Sequence, residues 1–432
     1  MKESKIQYQF PSLDLLDKVE ETCMEFPNLD GNVVSLEHML HSPEFQSADM
    51  ELPMALGKTA DGKPFIVDLA NIPHLLIADD IHDDSIIAII ATLLFTKRPD
   101  ELQFVILGQN WCLPALQSTI PESFLATTQK NCTRKHSYGD EEMVECVFSI
   151  KKLMDQRYGQ LKNFNASNIK EYNQMLEKGM LDSERGYTFM PYLVVYISEL
   201  SDFTTDASSY LEKPLTAIAK LSEKVGIHII AATSHPVHSV LTSAIKSKFP
   251  GRLVRRIWHQ EELECILDCK GAQRLEGIGE MYFRMNKNSE LVYLKETNVS
   301  HNEMERINDF ITQQSHSAAS YSLPQLSEPT GYLSPWRVDF KRTDPYFLEV
   351  ARYLLDLQEV NTGDIQRKYC IGYNRASRLM AQLEAANLIE YNENGANPRR
   401  VLAHSEEQLS DILDSIYGNV WRKNTPGTLE EK

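Results

Sequence analysis

Long apolar runs are scarce in this 432-residue chain. The longest, Ile86 to Phe95, is interrupted by Thr92, and a membrane-spanning helix needs about 20 apolar residues. No direct membrane insertion is therefore expected. The opening MKESKIQYQF also lacks the apolar stretch of a signal peptide. Positive charge is in deficit: 44 Lys+Arg stand against 61 Asp+Glu, for a net charge of −17. That excludes a globally basic nucleic-acid binder but not a local basic face, because the relevant field is that of one surface. The seven cysteines (Cys23, Cys112, Cys132, Cys146, Cys265, Cys269, Cys370) are odd in number and hold no CxxC pair. Free thiols in a reducing cytoplasm suit them better than a disulfide frame. Cys265 and Cys269 stand four residues apart with His259 nearby; buried thiols are the better reading, and no metal is expected there.

What is present is a globular pattern. Hydrophobic residues make up 42%, enough to exclude whole-chain disorder, and the length suggests about two to three domains. Residues 1–50 form a short N-terminal segment with amphipathic fragments. From there to residue 312, apolar runs of strand length alternate with helical patterns: Phe65–Leu69, His74–Ala78, Phe104–Leu107, Tyr192–Ile197 and Ile227–Ala232, with helices over Val144–Tyr158 and Leu211–Val225. Continuous apolar strands separated by helices predict an α/β fold with a parallel sheet covered on both faces.

Residues 313–340 open with a Ser-, Pro- and Gln-rich stretch without periodicity and read as a linker. A compact block at 341–403 follows. Asp344-Pro345 announces its first helix, a second spans about Thr362–Tyr369 and a third about Tyr373–Asn387. Residues Leu388–Leu402 read as two short strands around Glu393-Asn394-Gly395. Three helices and a hairpin in about 60 residues make a winged helix-turn-helix pattern. In the tail, 404–432, an amphipathic stripe runs through Leu409, Ile412, Leu413, Ile416, Tyr417, Val420 and Trp421. Packing on its own chain is the plain reading of that stripe, and docking on a partner is the other.

Several stretches carry a resemblance: LGKTADGKPFIVDLANIPHLLIA (56–78), MDQRY (154–158), NIKEYN (168–173), PYLVVYISEL (191–200), GIHIIAATSHP (226–236), ILDCKGAQRLEGIGEMYF (266–283) and IQRKYCIGYNRASRLMAQLEAANLI (365–389). In these the chain resembles the motor and C-terminal winged-helix regions of the FtsK/SpoIIIE DNA translocases, over roughly residues 51–403. The resemblance implies a RecA-like P-loop NTPase fold followed by a winged helix. It also implies hexameric rings that use ATP to pump double-stranded DNA.

The nucleotide motifs of such a motor are altered here. A P-loop sets a Gly-rich turn, a Lys and a Ser/Thr between strand and helix, to cradle phosphates and hold Mg²⁺. In this chain the turn after His74–Ala78 is Asp79-Asp80-Ile81-His82-Asp83-Asp84, followed by Ser85, and residues 64–96 contain neither Gly nor Lys. Two like charges 4 Å apart interact by about 4 kcal/mol at an effective dielectric of 20, so such a turn repels a triphosphate. Asp does suit a helix N-terminus, and the turn reads as a cap; a cation held by its four Asp is a lesser alternative. Gly57-Lys58-Thr59-Ala60-Asp61-Gly62-Lys63-Pro64 imitates a P-loop, but it ends in Pro and leads into a strand, so it reads as a hairpin turn. Where the family has an Asp-Glu pair, this chain has Ser198-Glu199. Glu199 matches the residue that would polarise the attacking water, and a strand-end carboxylate is its plainer reading. Gly108-Gln109-Asn110 stands for the family's Asp-Pro-Lys, and Ser234-His235 for its Gln-Arg.

The C-terminal block keeps its reading face. Ala376, Leu379, Met380 and Leu383 repeat at core spacing, while Asn374, Arg375, Arg378 and Gln382 carry side chains that suit phosphates and base edges. Arg367 and Lys368 end the preceding helix, and Arg399 and Arg400 follow the wing tip. Between 365 and 382 every charged residue is basic. A winged helix used for protein contact is the competing reading. The expectation is a DNA-binding pseudo-ATPase without cofactor, a scaffold or modulator in chromosome segregation or cell division. It would form a homo-oligomer or hexameric ring, or assemble with an active paralogue, and meet division or recombination proteins. The alternative is an active ATP-dependent translocase using ATP, Mg²⁺ and Glu199.

Overall fold

Strands that read as unbroken apolar runs bury both faces in the computed structural model, which describes residues 8–17, 34–79, 84–108, 113–128, 140–181, 187–201, 209–257, 259–275, 277, 279–314, 321–326, 343–390 and 398–417. The chain divides into two units, 1–326 and 327–432.

The first unit is built on one sheet of ten strands among the described residues. They are β1 (Val34–Ser35), β2 (Pro53–Thr59), β3 (Pro64–Asp68), β4 (His74–Ala78), β5 (Leu102–Leu107), β6 (Tyr192–Ile197), β7 (Ile227–Thr233), β8 (Gly251–Val254), β9 (Glu280–Arg284) and β10 (Val292–Asn298). Its main helices are α1 (Asp84–Thr96), α2 (Asp140–Phe164), α3 (Ser209–Leu221), α4 (Gln260–Leu267) and α5 (His301–Gln314). The order across the sheet is β3-β2-β10-β9-β8-β4-β7-β6-β5, with β1 beside β10. The block β8-β4-β7-β6-β5 is parallel throughout, as the apolar runs predict, and its strands are buried from end to end. The other half is antiparallel, a feature the parallel reading omits. There β9 alternates buried and half-buried positions, so only one face meets the core.

The imitation P-loop is a hairpin, with β2 paired antiparallel to β3. Its Gly57, at φ 156°, serves sheet packing: a Cβ there would fall 1.9 Å from the Lys295 carbonyl oxygen. Two buried histidines stitch the centre of the sheet. His74 Nδ1 accepts from the Ile229 amide at 3.0 Å, and Nε2 donates to the Ala219 carbonyl at 2.8 Å. His228 Nδ1 lies 3.2 Å from the Pro73 carbonyl. Burial pushes His74 down to about 3 and His228 to about 4.

Part of the stretch read as linker belongs to this unit. Gln313 and Gln314 end α5. Further on, the Thr127 amide donates to Tyr321 O and the Leu323 amide to Thr127 O, both at 2.9 Å, with Leu323 buried. An alternating Tyr-Ser-Leu segment thus continues the pairing that Leu125 begins on β5.

The second unit contains α6 (Phe347–Leu354), α7 (Thr362–Tyr369), α8 (Tyr373–Ala385) and α9 (Glu406–Tyr417), with β11 (Glu359–Val360) antiparallel to β12 (Arg399–Arg400). Asn361 and Asp364 close a capping box on α7. The core joins Phe347, Val350, Leu354, Ile365, Leu379, Met380 and Leu383. Leu409 and Leu413 of the C-terminal stripe lie in that same core, with Ile412 packed against it, so this part of the stripe packs on its own chain. The side chains of Ile416 and Tyr417, and residues Val420 and Trp421, lie outside the described residues.

Candidate functional site

In an open parallel sheet, ligands bind beyond the carboxyl ends of the strands, where the strand order reverses. Here the chain leaves β4, crosses to the far edge at β5, and returns through β6 and β7 to flank β4. The positions singled out in the sequence collect at that edge: Asp79 follows β4, Gly108 follows β5, Ser198-Glu199 follow β6, and Ser234 follows β7.

Asp79 is held inside the protein. Arg255, one residue past β8, donates from Nη1 to Asp79 Oδ2 at 2.6 Å, and its Nη2 lies 3.0 Å from Glu296 Oε2 on β10. All three side chains are at most 13% exposed. The Asp79 amide donates to the Thr233 carbonyl at 3.3 Å, and the Arg255 amide donates to the Ala78 carbonyl at 3.0 Å. Asp80, Ile81, His82 and Asp83 lie outside the described residues. Asp84 and Ser85 open α1, with their side chains outside the description.

Glu199 accepts four hydrogen bonds. Oε1 takes the Ser201 amide at 3.0 Å and the Thr233 hydroxyl at 2.8 Å; Oε2 takes the Ser234 amide at 2.8 Å and the Ser234 hydroxyl at 2.7 Å. Burial pushes its carboxyl upward, but these donors outweigh burial and hold it below the usual carboxylate range. Its neighbour Ser198 is buried, and Ser198 Oγ has no hydrogen-bond partner. That oxygen faces Gly108, whose φ is 150° and whose missing Cβ would sit 2.0 Å from it. Gln109 and Asn110 lie outside the described residues.

The described residues hold no group of three or more His, Cys, Asp or Glu placed for a metal. Cys265 Sγ lies 3.6 Å from His238 Nδ1, and burial pushes the thiol up.

In the second unit, the residues read as DNA contacts separate into two sets. Arg375 makes a two-pronged ion pair with Asp344, Nε to Oδ2 at 2.8 Å and Nη2 to Oδ1 at 2.9 Å, and lies 4.7 Å over the Tyr346 ring. Gln382 Oε1 accepts the Asp344 amide at 3.1 Å. Arg399 Nη1 lies 2.7 Å from Glu384 Oε2, with Arg399 17% and Glu384 3% exposed. These three side chains are engaged within the domain. Arg367, 75% exposed, pairs with Asp364, and Lys368 lies 5.0 Å over Tyr353. Arg400 is exposed. Asn374 and Arg378 stand on the first turns of α8, with their side chains outside the description. Sequence reading missed Arg255, Glu296 and Glu384, and it took Asp344-Pro345 as the start of a helix that begins at Phe347 with Tyr346 as N-cap. The one available signal was the Arg255-Arg256 pair directly after an apolar strand.

A RecA-like motor fold joined to a winged helix is the class these units define. Residues 35–240 match the FtsK/SpoIIIE family model, and residues 341–404 match the Ftsk gamma domain. The chain belongs to the FtsK/SpoIIIE family. It is 30% identical over 398 residues to the DNA translocase FtsK of Chlorobaculum tepidum, covering 91% of this chain and 48% of that protein. With the DNA translocase SftA of Bacillus subtilis it is 28% identical over 393 residues, covering 90% of this chain and 39% of that one. It therefore spans about half the length, or less, of these curated relatives. Among solved structures, the cytoplasmic domain of the Thermomonospora curvata type VII secretion ATPase EccC gives a TM-score of 0.52 at 17% identity, covering 68% of this chain and 36% of that one; this likeness concerns the fold alone. Among the described residues, no helix is long and apolar enough to cross a membrane.

Proposed function

We propose that this chain is a double-stranded-DNA-binding pseudo-ATPase of the family, acting as a scaffold or modulator in chromosome segregation or cell division. The observation that carries the first half is the Asp79–Arg255–Glu296 network. Arg255, just past β8, is paired with two carboxylates of the protein, one of them Asp79, which opens a turn whose sequence has no Lys and no Gly. The residues present do not fit Mg²⁺-ATP. Ser198 supplies no charge to orient a metal shell, and both oxygens of Glu199 are taken up by amides and hydroxyls.

The DNA half rests on the family relationship of the winged helix, on the exposed basic residues Arg367, Lys368 and Arg400, and on Asn374 and Arg378 of the first turns of α8. Non-specific affinity for a duplex comes from such charges through counterion release. Assembly as a homo-oligomer or hexameric ring, or with an active paralogue, follows from the same relationship, as do meetings with division or recombination proteins. A cytoplasmic location completes the reading.

Titration with a fluorescent ATP analogue in the presence of Mg²⁺ tests the motor half. The expected result is no saturable binding. Saturable binding, together with DNA-stimulated turnover that disappears in Glu199→Gln, would establish an active translocase instead.

A further inference from the structure

Arg375 was read from sequence as a DNA contact, yet its fork is closed on Asp344 and its plane rests on Tyr346. The same Asp344 is pinned a second time. Its backbone amide donates to Gln382 Oε1, seven residues further along α8. Residues seven apart stand on one stripe of a helix, so the strand of chain entering α6 is fastened along that stripe at two points. Asp344 Oδ1 also accepts the Tyr346 amide at 3.0 Å, and Asp344 O accepts the Phe347 amide at 2.8 Å. The carboxylate that grips Arg375 therefore also shapes the entry to α6.

The start of α8 needs this grip. Its N-cap is Gly372, which offers no side-chain cap, and the first turn contains no acidic residue. A cation three residues into a helix opposes the helix dipole. The Asp344 carboxylate, brought in through space, supplies the missing negative charge. The turn so fixed is the one that carries Asn374 and leads to Arg378.

We propose that Arg375 is a positioning residue for duplex recognition: its clamp on Asp344 and Tyr346 sets the pose of the first turns of α8, and its own charge meets no phosphate. This rests on the DNA-binding reading of the second unit. Three consequences separate it from a phosphate contact. A guanidinium committed to a two-pronged pair and a ring stack neutralises no phosphate, although it is 37% exposed, so its removal leaves the salt slope of binding unchanged. Lys cannot reproduce a two-pronged, stacked contact, so Arg375→Lys fails as Arg375→Ala does. Removing the Asp344 charge weakens binding, although losing a negative charge beside DNA would by simple electrostatics strengthen it.

The test uses the full chain and a labelled mixed-sequence duplex several helical turns long, with binding followed by fluorescence anisotropy over a range of salt. Cooperative unfolding of each variant is checked first, and Arg375→Lys and Asp344→Asn serve if Arg375→Ala does not fold. Wild type binds; Arg375→Ala, Arg375→Lys and Asp344→Asn each bind roughly tenfold more weakly with the wild-type slope. A slope lowered by about 0.9 in Arg375→Ala, with Arg375→Lys near wild type, would make Arg375 a phosphate contact and overturn the proposal. Unchanged affinity in all three folded variants would also overturn it, leaving a purely structural pair. Absence of binding by wild type would defeat the DNA reading itself, and the positioning role with it.

Discussion

The Arg255 guanidinium and the Asp79 carboxylate meet at 2.6 Å across 176 residues of sequence, at the carboxyl end of the central strand. Their pairing is completed by Glu296 on β10, whose Oε2 lies 3.0 Å from Arg255 Nη2. Breaking a buried ion pair from one side leaves an uncompensated charge. Arg255→Met leaves two carboxylates without their cation, and we expect the first unit to lose about 3–5 kcal/mol of stability, read by urea denaturation. Replacing Asp79, Arg255 and Glu296 together by apolar residues of similar volume recovers most of that loss. Equal stability of wild type and Arg255→Met would show the network to be idle.

Gly108 and Ser198 are fitted to each other. A Cβ at Gly108 falls 2.0 Å from Ser198 Oγ, at a φ of 150° that L-residues rarely adopt. Gly108→Ala is expected to cost about 1–3 kcal/mol through overpacking. Ser198→Gly in the same background relieves the collision but not the backbone strain, so recovery is partial. A double-mutant cycle by thermal denaturation measures the coupling, and a coupling near zero would contradict this geometry.

The buried histidines make stability depend on acid. His74 and His228 titrate in the folded protein near 3 and 4, below their unfolded value, because burial disfavours the charged ring. In the unfolded chain they take up protons as pH falls below about 6.5. Stability is therefore full above that pH and is lost as pH falls toward 4, at about 1.4 kcal/mol per pH unit for each histidine. Glu199, held below its ordinary range, contributes stability that is present above its unfolded value and is lost as pH falls through its folded one. Measured by denaturant unfolding between pH 7 and 5, His74→Gln should show a shallower pH dependence than wild type. The same slope in both would mean that His74 is charged, or exposed, when folded.

The parts of the fold that could be read are those whose signal is local. Tyr192–Ile197 and His74–Ala78 are unbroken apolar runs, and both are strands over those same residues. Thr362–Tyr369 is bounded by a capping box and matches its expected span. Strands β9 and β10 were missed, because half-buried alternation over five to seven residues is a weak signal among loops. The segment at Tyr321–Leu323 reads as linker by composition, and only pairing with distant Thr127 makes it part of the sheet. At the carboxyl edge, sequence singled out Glu199 but could not supply its donors from Thr233 and Ser234, more than 30 residues away. It read Arg375 as a DNA contact without its ion-pair partner, since Asp344 lies 31 residues upstream. Contacts between remote positions of the chain leave no period and no motif.

Arg399 and Arg400 are adjacent in sequence, and their surroundings differ. Arg399 lies against Glu384, which is only 3% exposed, and joins β12 to the last turn of α8. Arg400 is exposed on the same short strand. Arg399→Met should therefore strand a buried carboxylate and destabilise the second unit by about 3 kcal/mol. Because its charge is already neutralised, the salt slope of duplex binding should be unchanged in the folded variant. Arg400→Ala should do the reverse, leaving the unfolding midpoint within the range of ordinary surface substitutions and lowering the slope by about 0.9. Denaturation and salt-dependent anisotropy, run on both variants side by side, separate strut from contact. If Arg399→Met lowered the slope while stability held, the buried pair would have to open on DNA, and the wing strand would be read the other way round.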